Sequence, residues 1–463
     1  MVNPPTSAAR RLLARPWLLA FVPINAATSG FGVALPLLIL IPLAGTWSDV
    51  ALAASLYNGA VILSSIFWGW ISDRYPTRRR LLLLNFAGFA VIYALMGFLT
   101  SLPAIFVLYT VVGILAPAGA SASNLLILEQ FPARERATAY ASFQEMSILG
   151  AMGGLLSGYF WLLSGRPLQP LFFLLSALAA ASVAAVWLGV RDSKGPHLTA
   201  AAVARHPDSL ASRLHQIGLR GIIPYFPKRP SLQPGAWTRF ARWSREELHH
   251  ELPLILIAAF LFNLASNLFN ISYVPYLESG IGLAASSVFL INFANGFAQG
   301  LTFPASGSLT TRAGADRVVH LASYVRGLGY LAVAAFTFVP VAIGLAYGLN
   351  LLAFAVLGGA IAFYTTSSSM ILFRALEGRD AGTLLGLNSA LGGVAAVGGA
   401  ILSGILSLYG SYQLTFLVAG GALLVSLPLW TASQLAYTRR RVNRELGAKA
   451  PRSPVVPVMA ETD

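Results

Sequence analysis

Cysteine is missing altogether from the 463 residues, and charge is scarce. Without a thiol the chain has no disulfide, no thiolate nucleophile and no cysteine-held metal. Only 10% of residues are Asp, Glu, Lys or Arg, against about 25% in a soluble globular domain, so there is too little charge to clothe a soluble protein of this size. Acids are the scarcer sign, 17 against 31 Lys and Arg. Histidine is rare as well: five of the six lie scattered between 191 and 250, not at metal-ligand spacing, and no metal site is expected. What is abundant is apolar surface, 56% of residues, which excludes disorder. These limits predict an all-α membrane protein.

A helix that crosses a bilayer needs about 20 mostly apolar residues, because each backbone polar group must be satisfied within its own segment. Twelve stretches qualify: Trp17–Leu43, Val50–Ile71, Leu81–Thr100, Ala104–Leu128, Thr138–Leu163, Leu168–Val190, Leu252–Leu277, Ile281–Thr310, Val318–Val339, Val341–Phe373, Thr383–Tyr409 and Gln413–Tyr437. Of the 31 Lys and Arg, 29 fall in the termini and alternate loops, one (Arg166) in the opposite set, and one (Arg326) inside a span. Cytoplasmic loops carry the Lys/Arg excess, so both termini are expected in the cytoplasm of a multi-pass plasma-membrane protein. The net charge of +14 then reports topology and attraction to anionic lipid. A nucleic-acid partner is not expected, since no basic patch sits on a soluble domain.

Residues 191–250 are basic and proline-rich, and divide six spans from six. The expected organisation is a first bundle at 1–190, a cytoplasmic linker at 191–250, a second bundle at 251–437 and a basic tail at 438–463. Within the linker, 210–223 and 237–248 read as amphipathic helices. The bundles repeat each other. Gly69-x-x-x-Asp73-Arg74-x-x-x-Arg78 follows span 2, and Gly307-x-x-x-Thr311-Arg312 follows span 8, 238 positions on. Pro36 and Pro275 stand 239 apart. Gly150, Gly154 and Gly158 in span 5 have small-residue counterparts in span 11 at Gly392, Ala396, Ala400 and Gly404, a pattern that lets helices approach closely. Duplication of this kind places a transport site at the interface of the repeats.

The Gly69–Arg79 and Gly307–Arg317 segments resemble the loop signature of the major facilitator superfamily and its weaker second copy. The resemblance implies twelve transmembrane helices in two pseudo-symmetric six-helix bundles. It also implies a latch in which Asp73 faces a helix end of the other bundle while Arg74 and Arg78 pair with Glu129. Thr311 stands where the second copy's acid would be, so that latch, with Gly307 and Arg312, is expected to be weaker. The proline of the family's antiporter signature is missing at Gly154-Leu155, and span 4 has no basic residue. Both departures argue against proton-coupled drug antiport.

An ionisable side chain inside a span costs about 2.5–3.5 kcal/mol on insertion scales and is a functional candidate. Glu145 in span 5 is the candidate for proton coupling, with burial expected to make it exchange protons. Arg326 in span 9 is expected to brace the fold or snorkel. The neutral candidates for a wet cavity are Asn25 and Thr28 in span 1, Asn58 in span 2, Asn124 in span 4 and Gln144 in span 5. The second bundle adds Asn263, Asn267 and Asn270 on one face of span 7, Asn292, Asn295 and Gln299 in span 8, and Asn388 in span 11.

The expected activity is secondary transport of a small neutral or cationic solute by a permease that acts as a monomer in lipid. A cavity with one acid and no well-placed base does not suit multiply anionic substrates. An uncoupled facilitator, or a sensor on a transporter scaffold, are the alternatives. Neither uptake nor efflux follows from these residues. No cofactor is expected, and no phosphate-binding loop or Ser/His/Asp set points to an enzyme.

Overall fold

The computed structural model describes residues 16–74, 78–130, 136–190, 251–338, 342–376, 381–409 and 411–449. Among them the only regular structure is helical. The first bundle holds α1 (Phe21–Leu40, entered by a 3-10 turn at Pro16–Ala20), α2 (Trp47–Arg74), α3 (Arg78–Met96), α4 (Leu102–Gln130), α5 (Arg136–Leu163) and α6 (Leu171–Gly189). The second holds α7 (Glu251–Pro275, leaving through a π turn at Tyr276–Gly280), α8 (Ala285–Ala313), α9 (Ala315–Phe336), α10 (Ile343–Leu376), α11 (Ala381–Leu408) and α12 (Tyr412–Lys449). The start of α1, the end of α6, the start of α7 and the end of α12 share one face of the molecule, here the terminal face. The opposite side is the far face.

Helix limits fall within a few residues of the expected spans, except that α12 runs on from Tyr437 to Lys449. The basic tail therefore begins as helix. The amphipathic helices expected at 210–223 and 237–248 lie outside the described residues. On the far face, α2 starts at a capping box: Thr46 donates its N–H (2.7 Å) and its hydroxyl (2.8 Å) to the Asp49 carboxylate.

Among the described residues, ten helices are long and apolar enough to cross a membrane by length and composition. Across the two bundles α2 packs on α11, and α8 packs on α5. A helix with protein and a cavity on several sides tolerates polar residues that a lipid-facing helix does not.

The duplication appears in the packing. In the first bundle α1 packs on α5 and α6, α2 on α4, and α3 on α4 and α6. The second bundle pairs α7 with α11 and α12, α8 with α10, and α9 with α10 and α12. At the α1–α5 crossing, a Cβ on Gly154 would fall on the Ala26 carbonyl. One on Gly150 would meet the Val22 carbonyl and lie 3.0 Å from the Asn25 Cβ. At the α7–α11 crossing, a Cβ on Gly399 would lie 2.8 Å from the Leu264 oxygen and 2.9 Å from the Asn267 Cβ. Leu264 and Asn267 thus stand where Val22 and Asn25 stand, 242 positions on in both cases. This corrects the offset of 239 drawn from the prolines: Pro36 lies inside α1, whereas Pro275 ends α7. The close contact on α11 also comes from Gly399 rather than from the Gly392 series; Gly404 faces Ala51 of α2 instead.

The same offset of 242 relates Phe31 to Tyr273, each the centre of its bundle's aromatic core. Phe31 stacks on Tyr93 with centroids 4.3 Å apart and meets Phe172 edge-on. Tyr273 lies 4.3 Å from Phe354 and meets Phe416 edge-on.

The crossings give a direct test. Gly154→Val should lower the melting temperature of detergent-purified protein sharply or prevent its accumulation, since overpacking costs about 1–3 kcal/mol or more. Gly153→Ala, where a Cβ meets no atom within 4 Å, should leave the melting temperature unchanged.

Candidate functional site

Gly32 and Pro36 of α1, Ala54 of α2, Tyr109 of α4 and Asn270 and Val274 of α7 surround a cavity of about 140 Å³ toward the far face. Asn25, Thr28 and Ser29 continue the Gly32 face of α1 toward the terminal face, and Asn263 and Asn267 continue the Asn270 face of α7. The two faces form one column between the bundles.

The amides on this column are tied to their own helices. Asn25 donates to the Phe21 carbonyl (2.7 Å) and to Ser147 (3.4 Å). Asn263 donates to the Ala259 carbonyl and Asn267 to the Asn263 carbonyl, both at 2.9 Å. Thr28 donates to the Ile24 carbonyl at 3.0 Å. A backbone carbonyl only accepts, so the NH₂ groups must face the helix and the amide oxygens are left for the cavity. Asn270 is exposed to the cavity and bonded to nothing.

The other candidates divide. Asn292 donates to the Val288 carbonyl. Asn58, Gln144, Gln299 and Asn388 are half-buried and make no hydrogen bond among the described residues. Asn295 is corrected: it donates to the Phe354 carbonyl at 2.7 Å, joining α8 to α10 rather than lining the cavity. The side chain of Asn124 lies outside the described residues. Sequence reasoning missed Tyr57 and Tyr109, whose rings stack 4.6 Å apart beside the cavity. Nothing local marks an aromatic as cavity-lining rather than core.

The bundles close on each other at the far face. Trp47 donates its indole N–H to Ser403 (3.0 Å), Ser403 bonds Ser272 (2.9 Å), and Ser48 bonds Ser407 (2.6 Å). The Trp47 ring stacks on Tyr412 at 4.4 Å. On the other seam Phe289 of α8 fills the space beside Gly158 of α5, and Gly300 packs against Ile148 and Met152. Interhelical side-chain hydrogen bonds in membranes average about 0.6 kcal/mol and an aromatic pair adds about 0.5–1.5 kcal/mol. The two hydrogen bonds and one ring pair that cross between the bundles here are therefore worth only about 2 kcal/mol.

Toward the terminal face the α5–α8 seam parts. Pro304, Gly307 and Thr311 lie on the side of α8 that carries Gly300, yet all are exposed, and a Cβ on Gly307 would meet nothing within 4 Å. On α5, Glu145 is exposed and makes neither hydrogen bond nor ion pair among the described residues. The expectation of a buried carboxyl is thereby corrected: Glu145 stands exposed, as does the stretch of α8 from Pro304 to Thr311.

Of the expected latch, the side chains of Asp73, Arg74 and Glu129 lie outside the described residues, as does the environment of Gly69. Arg78 is buried at the head of α3. Arg79 donates to the Trp187 carbonyl and lies over its ring. In the second bundle the expectation needs correction. Arg312 is exposed and unpaired, and Thr311 bonds the Gly307 carbonyl. The acid is instead Asp316 in the first turn of α9. It receives both ends of the Arg374 guanidinium, at 2.8 and 3.0 Å. Arg374 also reaches Glu251 at 3.4 Å and lies 4.0 Å from the Tyr437 ring centroid. This cluster ties the heads of α7 and α9 to the ends of α10 and α12. Burial works against the charge on Arg374, but Asp316 and Glu251 outweigh it and raise its pKa. Glu251 and Asp316 escaped the sequence reading because each looks like an ordinary first-turn acid.

Arg326 is fully interior rather than snorkelling, 3% exposed. It donates to the Leu357 carbonyl (3.1 Å), Ser266 (3.3 Å) and Tyr330. His320 bridges the Asp316 carbonyl and Thr431.

Two like bundles around a shared cavity, closed at one face and parted at the other, define a membrane transporter. A sequence model of the Major Facilitator Superfamily matches residues 17–246 and 255–459, and the chain belongs to that family. It is a multi-pass secondary transporter of small molecules, not an enzyme. Solved structures of the nucleoside transporter NupG share the fold. One matches with a TM-score of 0.63 at 14% identity, covering 90% of this chain and 97% of the other. A point mutant gives 0.65 at 14%, covering 90% and 98%. No curated protein sequence matches the chain.

The ionic cluster predicts a graded response. Arg374→Ala should destabilise by about 2 kcal/mol, since it strands the buried Glu251 beside Asp316. Arg374→Lys, which keeps the charge but loses the two-pronged geometry, should recover about half of that in thermal unfolding.

Proposed function

We propose that the protein carries a small neutral or cationic solute by rocking its two bundles about the Asn25–Asn267 column. The observation that carries this reading is the asymmetry of the α5–α8 seam, packed from Phe289 to Gly300 and bare from Pro304 to Thr311. A rigid pair of bundles that parts at one face must close at the other, and a far-face closure of about 2 kcal/mol is small enough for ligand binding to reverse. With the 29-to-1 distribution of Lys and Arg placing the terminal face in the cytoplasm, this conformation is the inward-open state.

The chemistry of the column supports the substrate class. The amide donors of Asn25, Asn263 and Asn267 and the Thr28 hydroxyl are spent on helix carbonyls, those of Asn270 are free among the described residues, and no Lys, Arg or His lines the column there. Oxygen acceptors remain for a ligand that donates hydrogen bonds or carries positive charge, and Tyr57 and Tyr109 add ring faces that suit a cation or an apolar body.

Glu145 is proposed as the proton carrier. The antiparallel register that sets Gly158 beside Phe289 and Ile148 beside Gly300 puts Glu145 opposite the bare stretch near Pro304 and Gly307. Closing that seam takes the carboxyl out of water, where a neutral acid costs far less than an ion. Closure and protonation are then coupled.

Two measurements test this. Because the chain has no cysteine, Ser48→Cys with Ser407→Cys forms a clean pair. Oxidation should lock the far face and stop transport in proteoliposomes, and reduction should restore it; transport that continues in the cross-linked protein rules out alternation. Glu145→Gln should keep substrate exchange but lose accumulation driven by a pH gradient. Accumulation equal to that of the native protein removes Glu145 from the coupling.

A further inference from the structure

The cavity on the far side of the column differs in chemistry from the column itself. Gly32, Pro36 and Ile39 share one face of α1 and look across about 140 Å³ at Val50 and Ala54 of α2 and Val274 of α7. Of the side chains around this space, only those of Tyr109 and Asn270 carry a polar atom. Its far end is capped. Val50 stands one turn inside Trp47, which bonds Ser403, and Val274 follows Ser272, which bonds the same serine. An apolar cavity of about 150 Å³ stays dry and takes up one benzene. The volume here therefore sets both the character and the upper size of what fills it.

The adjoining column offers acceptors in excess. The NH₂ groups of Asn25, Asn263 and Asn267 are held by helix carbonyls, which turns their amide oxygens to the cavity. The Thr28 hydroxyl has given its proton to the Ile24 carbonyl. A hydroxyl or amide ligand needs donors as well as acceptors, whereas an ammonium has three donors and accepts nothing. Where the two regions meet, Tyr57 lies one turn past Ala53 toward the terminal face and stacks on Tyr109 with centroids 4.6 Å apart. Aromatic faces attract a cation.

We infer that the transported solute is a primary amine carrying one unfused ring, or an alkyl group of like size. Its ammonium lies among the column oxygens and its apolar body fills the cavity bordered by Gly32, Pro36 and Val274. This rests on the reading of the column as the transport site and adds to it an orientation, a head group and a size limit. Gly32 sets that limit, because any side chain there would project into the cavity.

The test titrates the full chain, in lipid nanodiscs at neutral pH, with methylamine, benzylamine, naphthylmethylamine and benzyl alcohol, and subtracts the heat from empty nanodiscs. Burying a ring of this size is worth about 10- to 100-fold in affinity, so benzylamine should bind that much more tightly than methylamine. Naphthylmethylamine, whose second ring exceeds the cavity, should lose the gain. Benzyl alcohol, which keeps the ring but not the charge, should bind more weakly than benzylamine. Gly32→Leu fills the cavity from a position where a Cβ meets nothing within 4 Å, and leucine suits a helix better than glycine. This variant should fold, bring benzylamine down to the affinity of methylamine and leave methylamine as it was. Three results overturn the pocket: affinity that goes on rising from benzylamine to naphthylmethylamine, equal affinities for benzylamine and methylamine, or benzylamine binding untouched by Gly32→Leu. Benzyl alcohol binding as tightly as benzylamine overturns the ammonium head group. If Gly32→Leu fails to fold, the size series on the native chain decides alone. Equilibrium binding needs no alternation, so a negative result here is distinct from transport that survives the Ser48–Ser407 cross-link.

Discussion

The backbone-to-backbone approach of the first and fifth helices in each bundle is the constraint on which the rest of the molecule depends. Gly154 lies against the Ala26 carbonyl, and Gly399 lies against Leu264. These crossings bring Asn25 and Asn267 to the same height at the centre of the molecule, one from each bundle. Lipid supplies no hydrophobic force between helices, so association rests on packing contact and interhelical bonds. A glycine that removes one side chain from a crossing therefore sets where every neighbouring polar group comes to lie.

That rigidity contrasts with the contact between bundles. Each bundle's interior is held by stacked aromatics, such as Phe31 on Tyr93 and Phe269 on Tyr330. The bundles meet through a few hydroxyls, one indole and small residues facing small residues, such as Gly404 against Ala51. The stiff parts and the weak joint are thus made of different chemistry. Only a few large side chains cross the joint, chiefly Trp47 stacked on Tyr412 and Phe289 beside Gly158.

The sequence displays the features that a bilayer imposes on every residue of a span, and hides those that depend on which helix faces which. Twelve apolar stretches and the one-sided arginines are legible because lipid and topology act locally. The Asn263–Asn267–Asn270 face is legible because helical periodicity alone places it. The bond between Trp47 and Ser403 joins residues 356 positions apart, and neither carries a local sign of it. Asn295 follows the same spacing as its cavity-facing neighbours, yet bonds the Phe354 carbonyl, because periodicity gives a face but not what lies across from it. Glu145 is misread for a different reason: its place inside an apolar span suggests burial, yet the carboxyl is exposed because α5 and α8 are packed together only from Phe289 to Gly300.

The two terminal-face latches differ in a way that composition alone obscures. Arg78 heads α3 and Asp316 heads α9, separated by the same 238 positions as Gly69 and Gly307. Their counterparts at the ends of α4 and α10 are Glu129 and Arg374, so the signs are exchanged between bundles. Coulomb attraction is indifferent to that exchange, but helix dipoles are not. An acid at a helix N-terminus and a base at a C-terminus are each favoured by about 0.3–1 kcal/mol, which is the arrangement of Asp316 and Arg374. Arg78 at an N-terminus and Glu129 in a last turn stand against the dipoles of their helices. The loss of the acid at Thr311 therefore does not leave the second bundle without an ionic contact at this face. Its ionic cluster is aligned with the backbone it caps and is joined by Glu251. At the terminal face the second bundle is thus held by an ionic cluster that agrees with the dipoles of its helices.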